Sequence, residues 1–257
     1  MPPLGSAVVY QKKNMLKAAA LAACLAVCGL AHSSTLSVTY YEVSNSDASY
    51  GTLCCGTYGD EVLSTLGPNG LPLLNPAYSG AMPSVQDVYK GQLTWWSPSL
   101  NSHVTQTGTG TVTLPVDHTS NFYPPNGTGT NDFDGGLTAV YSGTISVPTT
   151  EQISFSIGAD DSAFAYLDGQ IVCDLGGVHG FTDGTCTSGF DIDAGTHTLE
   201  LFYDDMDPSQ AGLYFSITTV GVTSSGGGGV PEPGTLALLG LGLAALGVAL
   251  GRRRHRV

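Results

Sequence analysis

Apolar side chains alternate with polar ones in the central part of the chain, and this period of two constrains the fold more than any other feature. Ile153, Phe155 and Ile157 form one such set, and the ranges 199–203 and 213–217 contain two more. A period of two places apolar side chains on one face of a strand. Glycine is abundant, with 35 residues, and runs of helix formers occur only at the two ends. The pattern predicts an all-β domain of antiparallel strands joined by many turns.

Charge is distributed unevenly along the chain. The stretch from His32 to Gly229 contains 20 of the 21 carboxylates and one lysine, Lys90, but no arginine. Such an acidic domain repels phosphate backbones, so nucleic acid is excluded as a partner. The acidity is compatible with solubility alone and also with the binding of a hard cation such as calcium.

Residues 1–31 are expected to be a secretory signal peptide. Lys17 and two earlier lysines precede an apolar stretch, 18–31, which ends in the small residues that a signal peptidase requires. A lipoprotein signal that ends at Cys24 is the alternative interpretation. Met15 is a second candidate for the first translated residue.

The other end of the chain contains a glycine- and serine-rich linker, 223–229, and a tail, 230–257. The tail begins with Pro231, Glu232 and Pro233 and continues with an apolar run and an arginine cluster. A helix over 235–251 would extend about 26 Å, close to the roughly 30 Å of a bilayer core. We therefore predict a transmembrane helix there, with the arginines in the cytoplasm and the domain outside.

This order of motif, apolar span and basic stop resembles the PEP-CTERM sorting signal. The resemblance implies export across the inner membrane of a Gram-negative cell and processing by an exosortase. It also implies anchoring by the helix before processing, a later place at the cell surface or in the extracellular matrix, and a link to exopolysaccharide and biofilm. A plain membrane anchor is the alternative.

Four cysteines remain after removal of the signal, and an exported domain can oxidise them. Cys173 and Cys186 flank one loop and are the natural pair. Cys54 and Cys55 are adjacent and could form a vicinal disulfide. The sequence leaves all three pairings open, but the spacing does not fit a zinc site.

The domain expected at 32–222 contains a series of short motifs: Asp160-Asp161 after a strand, Leu167-Asp168-Gly169 at a turn, the DLGGVH segment 174–179 and the AGTH segment 194–197. In these motifs it resembles a protective-antigen-type (PA-fourteen) β-sandwich, most closely the fibro-slime variant, and the match is strongest over 138–219. The resemblance implies an antiparallel sandwich of two sheets.

In calcium-binding lectins of that family, the Asp-Asp peptide bond is cis and both side chains bind the ion. The resemblance therefore implies calcium at Asp160 and Asp161. The family takes further ligands from a later loop, for which we select Asp204, Asp205 and Asp207 by position. The family's sugar-specificity loop is not identifiable in this sequence.

Several other polar residues have ordinary structural interpretations. Asp168 precedes a glycine and is expected to form a turn. His179 is expected to be a hydrogen-bonded loop residue, and Asp191 and Asp193 are expected to lie in a solvated turn. Trp95 and Trp96 are expected in the core, with an exposed stacking platform as the alternative.

Three classes of function are compatible with these features. The first is a calcium-supported module for carbohydrate binding and adhesion, which holds extracellular polysaccharide. The second is a structural surface or matrix protein without a specific ligand. An enzyme is the third and is disfavoured, because no GxSxG or HExxH motif and no catalytic Cys/His pair occurs.

Overall fold

The computed structural model describes residues 34–51, 59–78, 88–118, 135–208 and 210–226, which belong to one compact unit beginning at Ser34. These residues form strands and turns and contain no helix. The strands are β1 (Thr35–Ser44), β2 (Val62–Leu66), β3 (Pro72–Leu74), β4 (Val88–Tyr89), β5 (Gln92–Leu93), β6 (Val104–Thr113), β7 (Val116–His118), β8 (Gly135–Val147), β9 (Ser154–Asp160), β10 (Ser162–Leu167), β11 (Gln170–Leu175), β12 (Thr182–Thr187), β13 (Gly195–Asp205), β14 (Gly212–Ile217) and β15 (Thr223–Ser225).

The strands form two antiparallel sheets. The large sheet has the order β4-β5-β3-β2-β11-β10-β13-β8-β1-β6, and β15 also pairs with β8. The small sheet has the order β12-β9-β14-β7. The expected all-β antiparallel fold is therefore confirmed.

The main core lies where the inward faces of the two sheets meet. Strand β9 of the small sheet contributes Phe155 and Ile157, and β13 of the large sheet contributes Leu199, Leu201 and Tyr203. These are the alternating apolar positions of the sequence. The alternation follows from the period of two in an extended strand, which buries one face and exposes the other.

A second core covers part of the outer face of the large sheet. Trp95 and Trp96 are buried there, and the Trp96 ring contacts Phe164 and Phe202 at centroid distances of 6.4 and 5.2 Å. The indole Nε1 of Trp96 donates to the carbonyl oxygen of Tyr203 at 2.8 Å. Both tryptophans are thus core residues and not a stacking platform.

Cys173 of β11 and Cys186 of β12 are joined by a disulfide bond, which links the large sheet to the small one. Cys54 and Cys55 lie outside the described residues, as do the predicted signal peptide 1–31 and the sorting tail 230–257. Within the described ranges no helix is long and apolar enough to cross a membrane, and the predicted transmembrane helix 235–251 falls beyond them.

Two strands are longer than the sequence indicated. The sequence predicts strands at 110–114 and 141–147. In the structure, β6 begins earlier, at Val104, and ends at Thr113, and β8 begins earlier, at Gly135, and ends at Val147. The early part of β6 is rich in glycine and threonine, and β8 begins with two glycines, so the apolar alternation that identifies a strand starts later than the strand itself.

Candidate metal centre

The candidate site lies where the chain passes from the small sheet to the large one. Strand β9 ends at Asp160 and β10 begins at Ser162, so Asp161 is the connecting residue. The Asp160-Asp161 peptide bond is cis, the configuration that the family resemblance implied. The backbone amide of Asp161 donates to the carbonyl oxygen of Asp204 at 3.1 Å, which fixes this corner against β13.

Three carboxylates meet at this corner. Asp160, Asp161 and Asp205 each offer one oxygen atom, and these atoms lie within 4.8 Å of one another. The three residues are only 4%, 1% and 1% exposed. Oxygen ligands in this number and spacing are suited to a hard cation such as calcium.

Backbone amides and one phenol hold two of these aspartates in position. Asp161 Oδ2 accepts hydrogen bonds from the amides of Met206 and Asp207 at 2.8 and 3.0 Å. Asp160 Oδ2 accepts from the amide of Phe181 at 3.1 Å, and the Tyr203 hydroxyl donates to the Asp160 carbonyl oxygen at 2.9 Å. The two side chains are therefore oriented by amides on two different segments of the chain, and the Tyr203 hydroxyl holds the backbone between them.

The five aspartates proposed as ligands are not all gathered at this point. Asp205 joins Asp160 and Asp161, whereas the side chain of its neighbour Asp204 points to the opposite face of β13. Asp207 is partly exposed, and it contributes its backbone amide to Asp161.

Asp204 lies beside Glu61, a residue that the sequence analysis did not identify. Both are 0% exposed. Glu61 Oε2 accepts from the amide of Gly177 at 2.6 Å and from the Ser162 hydroxyl at 3.5 Å, and Ser162 is the cross-strand neighbour of Asp204. Glu61 lies in a part of the chain with few periodic signals, so no pattern indicated this contact.

Burial and mutual repulsion dominate the electrostatics of this region. Burial raises the pKa of Asp161 well above its ordinary range; the amide of Met206 opposes this effect, and the charge of Asp160 adds to it. Burial likewise raises the pKa of Asp204, with further contributions from the charges of Glu61 and Asp161. Burial also raises the pKa of Glu61, to about 8.

The part of the chain that the structure describes offers little positive charge to offset this repulsion. Its one lysine, Lys90, lies 5.1 Å from the ring centroid of Tyr89, and it contains no arginine. A divalent cation would relieve the repulsion among clustered carboxylates. The residues present therefore fit a hard metal ion.

The other polar residues considered in the sequence analysis lie in a turn, in a loop or on the surface. Asp168 and Gly169 form the turn between β10 and β11, both with positive φ, and Asp168 Oδ1 accepts from the amide of Thr198 at 2.7 Å. His179 is buried, and its Nδ1 is 3.1 Å from the carbonyl oxygen of Gly180. Asp191 and Asp193 are exposed, as expected.

Similarity to solved structures is distant. One similar structure is an anti-sigma factor domain-containing protein, with 13% identity and a TM-score of 0.37. The match covers 49% of this chain and 46% of that one, so this chain spans less than half of that protein. A PA14 sugar-binding domain from an RTX adhesin has 14% identity and a TM-score of 0.37, covering 76% of this chain and 99% of that one. The epithelial adhesin 6 A domain from Candida glabrata, in complex with Galb1-3GlcNAc, has 15% identity and a TM-score of 0.35, covering 74% and 81%.

No curated protein matches the sequence. A protein-family model does match, over residues 229–254, and its description is the PEP-CTERM protein-sorting motif. This match confirms the sorting segment expected around Pro231, Glu232 and Pro233. The chain thus carries a PEP-CTERM protein-sorting motif that follows, in the sequence, a domain of two antiparallel β-sheets.

Proposed function

We propose that this chain is an exported surface protein whose β-domain binds carbohydrate with the help of a calcium ion held by Asp160, Asp161 and Asp205. The observation that carries the proposal is the buried carboxylate triad at the β9–β10 corner. Calcium takes six to eight oxygen ligands, so three carboxylates leave coordination positions for backbone oxygens, water and sugar hydroxyls. The carbohydrate half of the proposal rests on the family resemblance of the Asp-Asp motif.

Export and processing are the second part of the proposal. The PEP-CTERM match supports exosortase as the processing partner and the cell surface or extracellular matrix of a Gram-negative cell as the destination. If this holds, replacement of Glu232 by alanine should block processing in the native host, as judged by mass spectrometry of the mature chain. Unchanged processing would favour a plain membrane anchor.

A binding role fits the site better than an enzymatic one. Asp160 and Asp161 are adjacent in the chain, and their carboxylates converge with that of Asp205 on one point, with oxygen atoms within 4.8 Å of one another. Glycosidases instead place two carboxylates across a cleft that admits the sugar, one as acid and the other as nucleophile or base. We therefore propose no catalytic residue.

Calorimetric titration of the chelated protein with calcium tests the metal site. We expect one calcium ion to bind the triad and Asp205→Asn to weaken that binding at least about tenfold, because it removes one charged ligand. Asp193→Asn is the matched control: it also removes one negative charge, but from an exposed turn. Equal affinities of the wild type and both variants would refute the site.

A glycan array probed with and without calcium tests the carbohydrate half. Calcium-dependent binding that Asp205→Asn abolishes would support the proposal. Calcium binding without any glycan binding would favour the second candidate, a structural surface or matrix protein without a specific ligand. Strand β6, which is long, uncharged and at one edge of the large sheet, favours this structural candidate.

A further inference from the structure

We propose that two copies of this chain pair through strand β6, so that the two large sheets become one continuous sheet across a twofold axis. The inference is independent of calcium, because β6 contributes no residue to the carboxylate triad. It starts from the way the strands at the four ends of the two strand orders differ.

Strand β6 is the long outermost strand. It has ten residues, seven of which are exposed, and among the described residues it pairs with β1 alone. Its sequence, VTQTGTGTVT, contains no charged residue and no proline. Natural sheets usually protect such an edge with charge, proline or short length, because its unpaired backbone groups accept another strand.

The strands at the other three ends of the two strand orders carry this protection, and β15, which pairs with β8 off the main order, has only three residues. Strand β4 has two residues and is followed by Lys90. Strand β7 has three residues and includes Asp117, and β12 includes Asp183. The contrast singles out β6 as the edge that is open to strand addition.

A bulge interrupts β6 opposite Tyr40 and Tyr41, and bulges are one way to block an edge. It lies in the first half of the strand. The register is regular from Gly108 to Thr113, which pair in sequence with residues from Tyr40 back to Thr35. Six regular residues are typical of a whole strand, so this half of β6 is long enough to pair.

A second copy of the chain is the partner that fits this edge. Thr109, Thr111 and Thr113 alternate along the exposed face of β6, and directly opposite them on β1 lie Thr39, Ser37 and Thr35. The half of the edge from Gly108 to Thr113 and its border on β1 are thus uncharged, whereas the chain as a whole has a formal net charge of −13. Two acidic copies repel each other over most of their surfaces and can approach closely at a neutral one. A basic partner would instead be attracted to the acidic surface.

The oligomeric state of the full exported chain, purified in detergent, tests the pairing. Size-exclusion chromatography with light scattering over a concentration series should give a dimer with a measurable dissociation constant. Thr111→Glu should raise that constant about tenfold, because it places like charges near the axis between two paired strands. Thr196→Glu is the matched control, since Thr196 is an exposed threonine on β13, inside the sheet, and should change it less than about twofold.

Disulfide cross-linking locates the contact. Thr109→Cys, Thr111→Cys and Thr113→Cys, oxidised in separate variants, should give covalent dimers above the background of the parent chain, with the highest yield nearest the axis. Thr196→Cys should not. A monomeric wild type would overturn the proposal, as would a dimer that Thr111→Glu leaves intact and that none of the β6 cysteines cross-links.

Discussion

Asp161 and Met206 are joined by a hydrogen bond of 2.8 Å, in which the backbone amide of Met206 donates to Asp161 Oδ2. The same oxygen accepts from the next amide, that of Asp207. Asp161 therefore ties the β9–β10 corner to the segment after β13, in addition to offering an oxygen to the candidate metal centre. Two substitutions at this position separate these two roles.

Asp161→Ala should destabilise the domain even in chelator, by about 1–3 kcal/mol, because it leaves the buried amide of Met206 without its acceptor. Asp161→Asn retains an oxygen that can accept while removing a repelling charge, so in chelator it should be at least as stable as the wild type. Urea denaturation at neutral pH measures both. An equal loss of stability in the two variants would contradict the assigned hydrogen bonds.

The free energy of unfolding in chelator should fall as the pH rises from about 4.5 to 8. Burial and the charges of Asp174 and Asp161 raise the pKa of Glu61 from 4.5 to about 8, against the opposing amide of Gly177. The folded state therefore retains a proton that the unfolded chain releases within this window. The stability associated with that proton is fully present below pH 4.5 and is lost as the pH passes the folded pKa.

Glu61→Gln should reduce this slope and stabilise the chelated protein at pH 8, by an amount on the order of 3 kcal/mol. Glu151→Gln serves as the control, because Glu151 is only partly buried and precedes β9, at the opposite end of that strand from Asp160. Urea titrations at pH 5, 6, 7 and 8, all in about the same ionic strength, provide the measurement. A slope that Glu61→Gln leaves unchanged would rule out Glu61 as the titrating group.

The strands of the core could be predicted from the sequence, since alternation at 153–157, 199–203 and 213–217 recurs in β9, β13 and β14. The ligand set could be predicted only in part. Asp204 and Asp205 were treated as one acidic loop, whereas β13 extends through both and directs their side chains to opposite faces. Extending the alternation from Tyr203 by two residues would have separated them.

The contact between Glu61 and Asp204 could not be predicted. It depends on the pairing of β2 with β11, in which Gln170 lies opposite Thr65. These two strands are far apart in the sequence, so no local pattern reveals that they pair. Likewise, the exposed threonines of β6 carry no apolar alternation. Strand order is set by contacts between distant segments, and a local pattern contains no information on them.

The disulfide between Cys173 and Cys186 should stabilise the domain by about 3 kcal/mol, as expected for a loop of this length in the chain-entropy model. It joins β11 to β12, and in the unfolded chain it restricts the conformations of the loop between the two cysteines. Urea denaturation of Cys173→Ala/Cys186→Ala, in a background of Cys54→Ser/Cys55→Ser, measures the effect. Peptide mapping that finds Cys173 and Cys186 as free thiols in exported protein would contradict the pairing.

Gly136→Ala should weaken calcium binding although it replaces none of the proposed ligands. A Cβ atom at Gly136 would lie 2.5 Å from Met206 Sδ and 3.1 Å from the carbonyl oxygen of Asp205. Met206 is completely buried, so its side chain has little room to move, and the new methyl group must displace the 205–206 segment. That segment carries the Asp205 carboxylate and the amide that holds Asp161.

We therefore expect Gly136→Ala to cost about 1–3 kcal/mol of stability and to raise the calcium dissociation constant about tenfold, as measured by urea denaturation and calorimetric titration. Gly184→Ala on β12 is the matched control, because a Cβ atom there would meet nothing within 4 Å. It should change neither quantity appreciably. If Gly136→Ala loses stability but binds calcium with the affinity of the wild type, the ion is not held by Asp205, and the triad is not the metal centre.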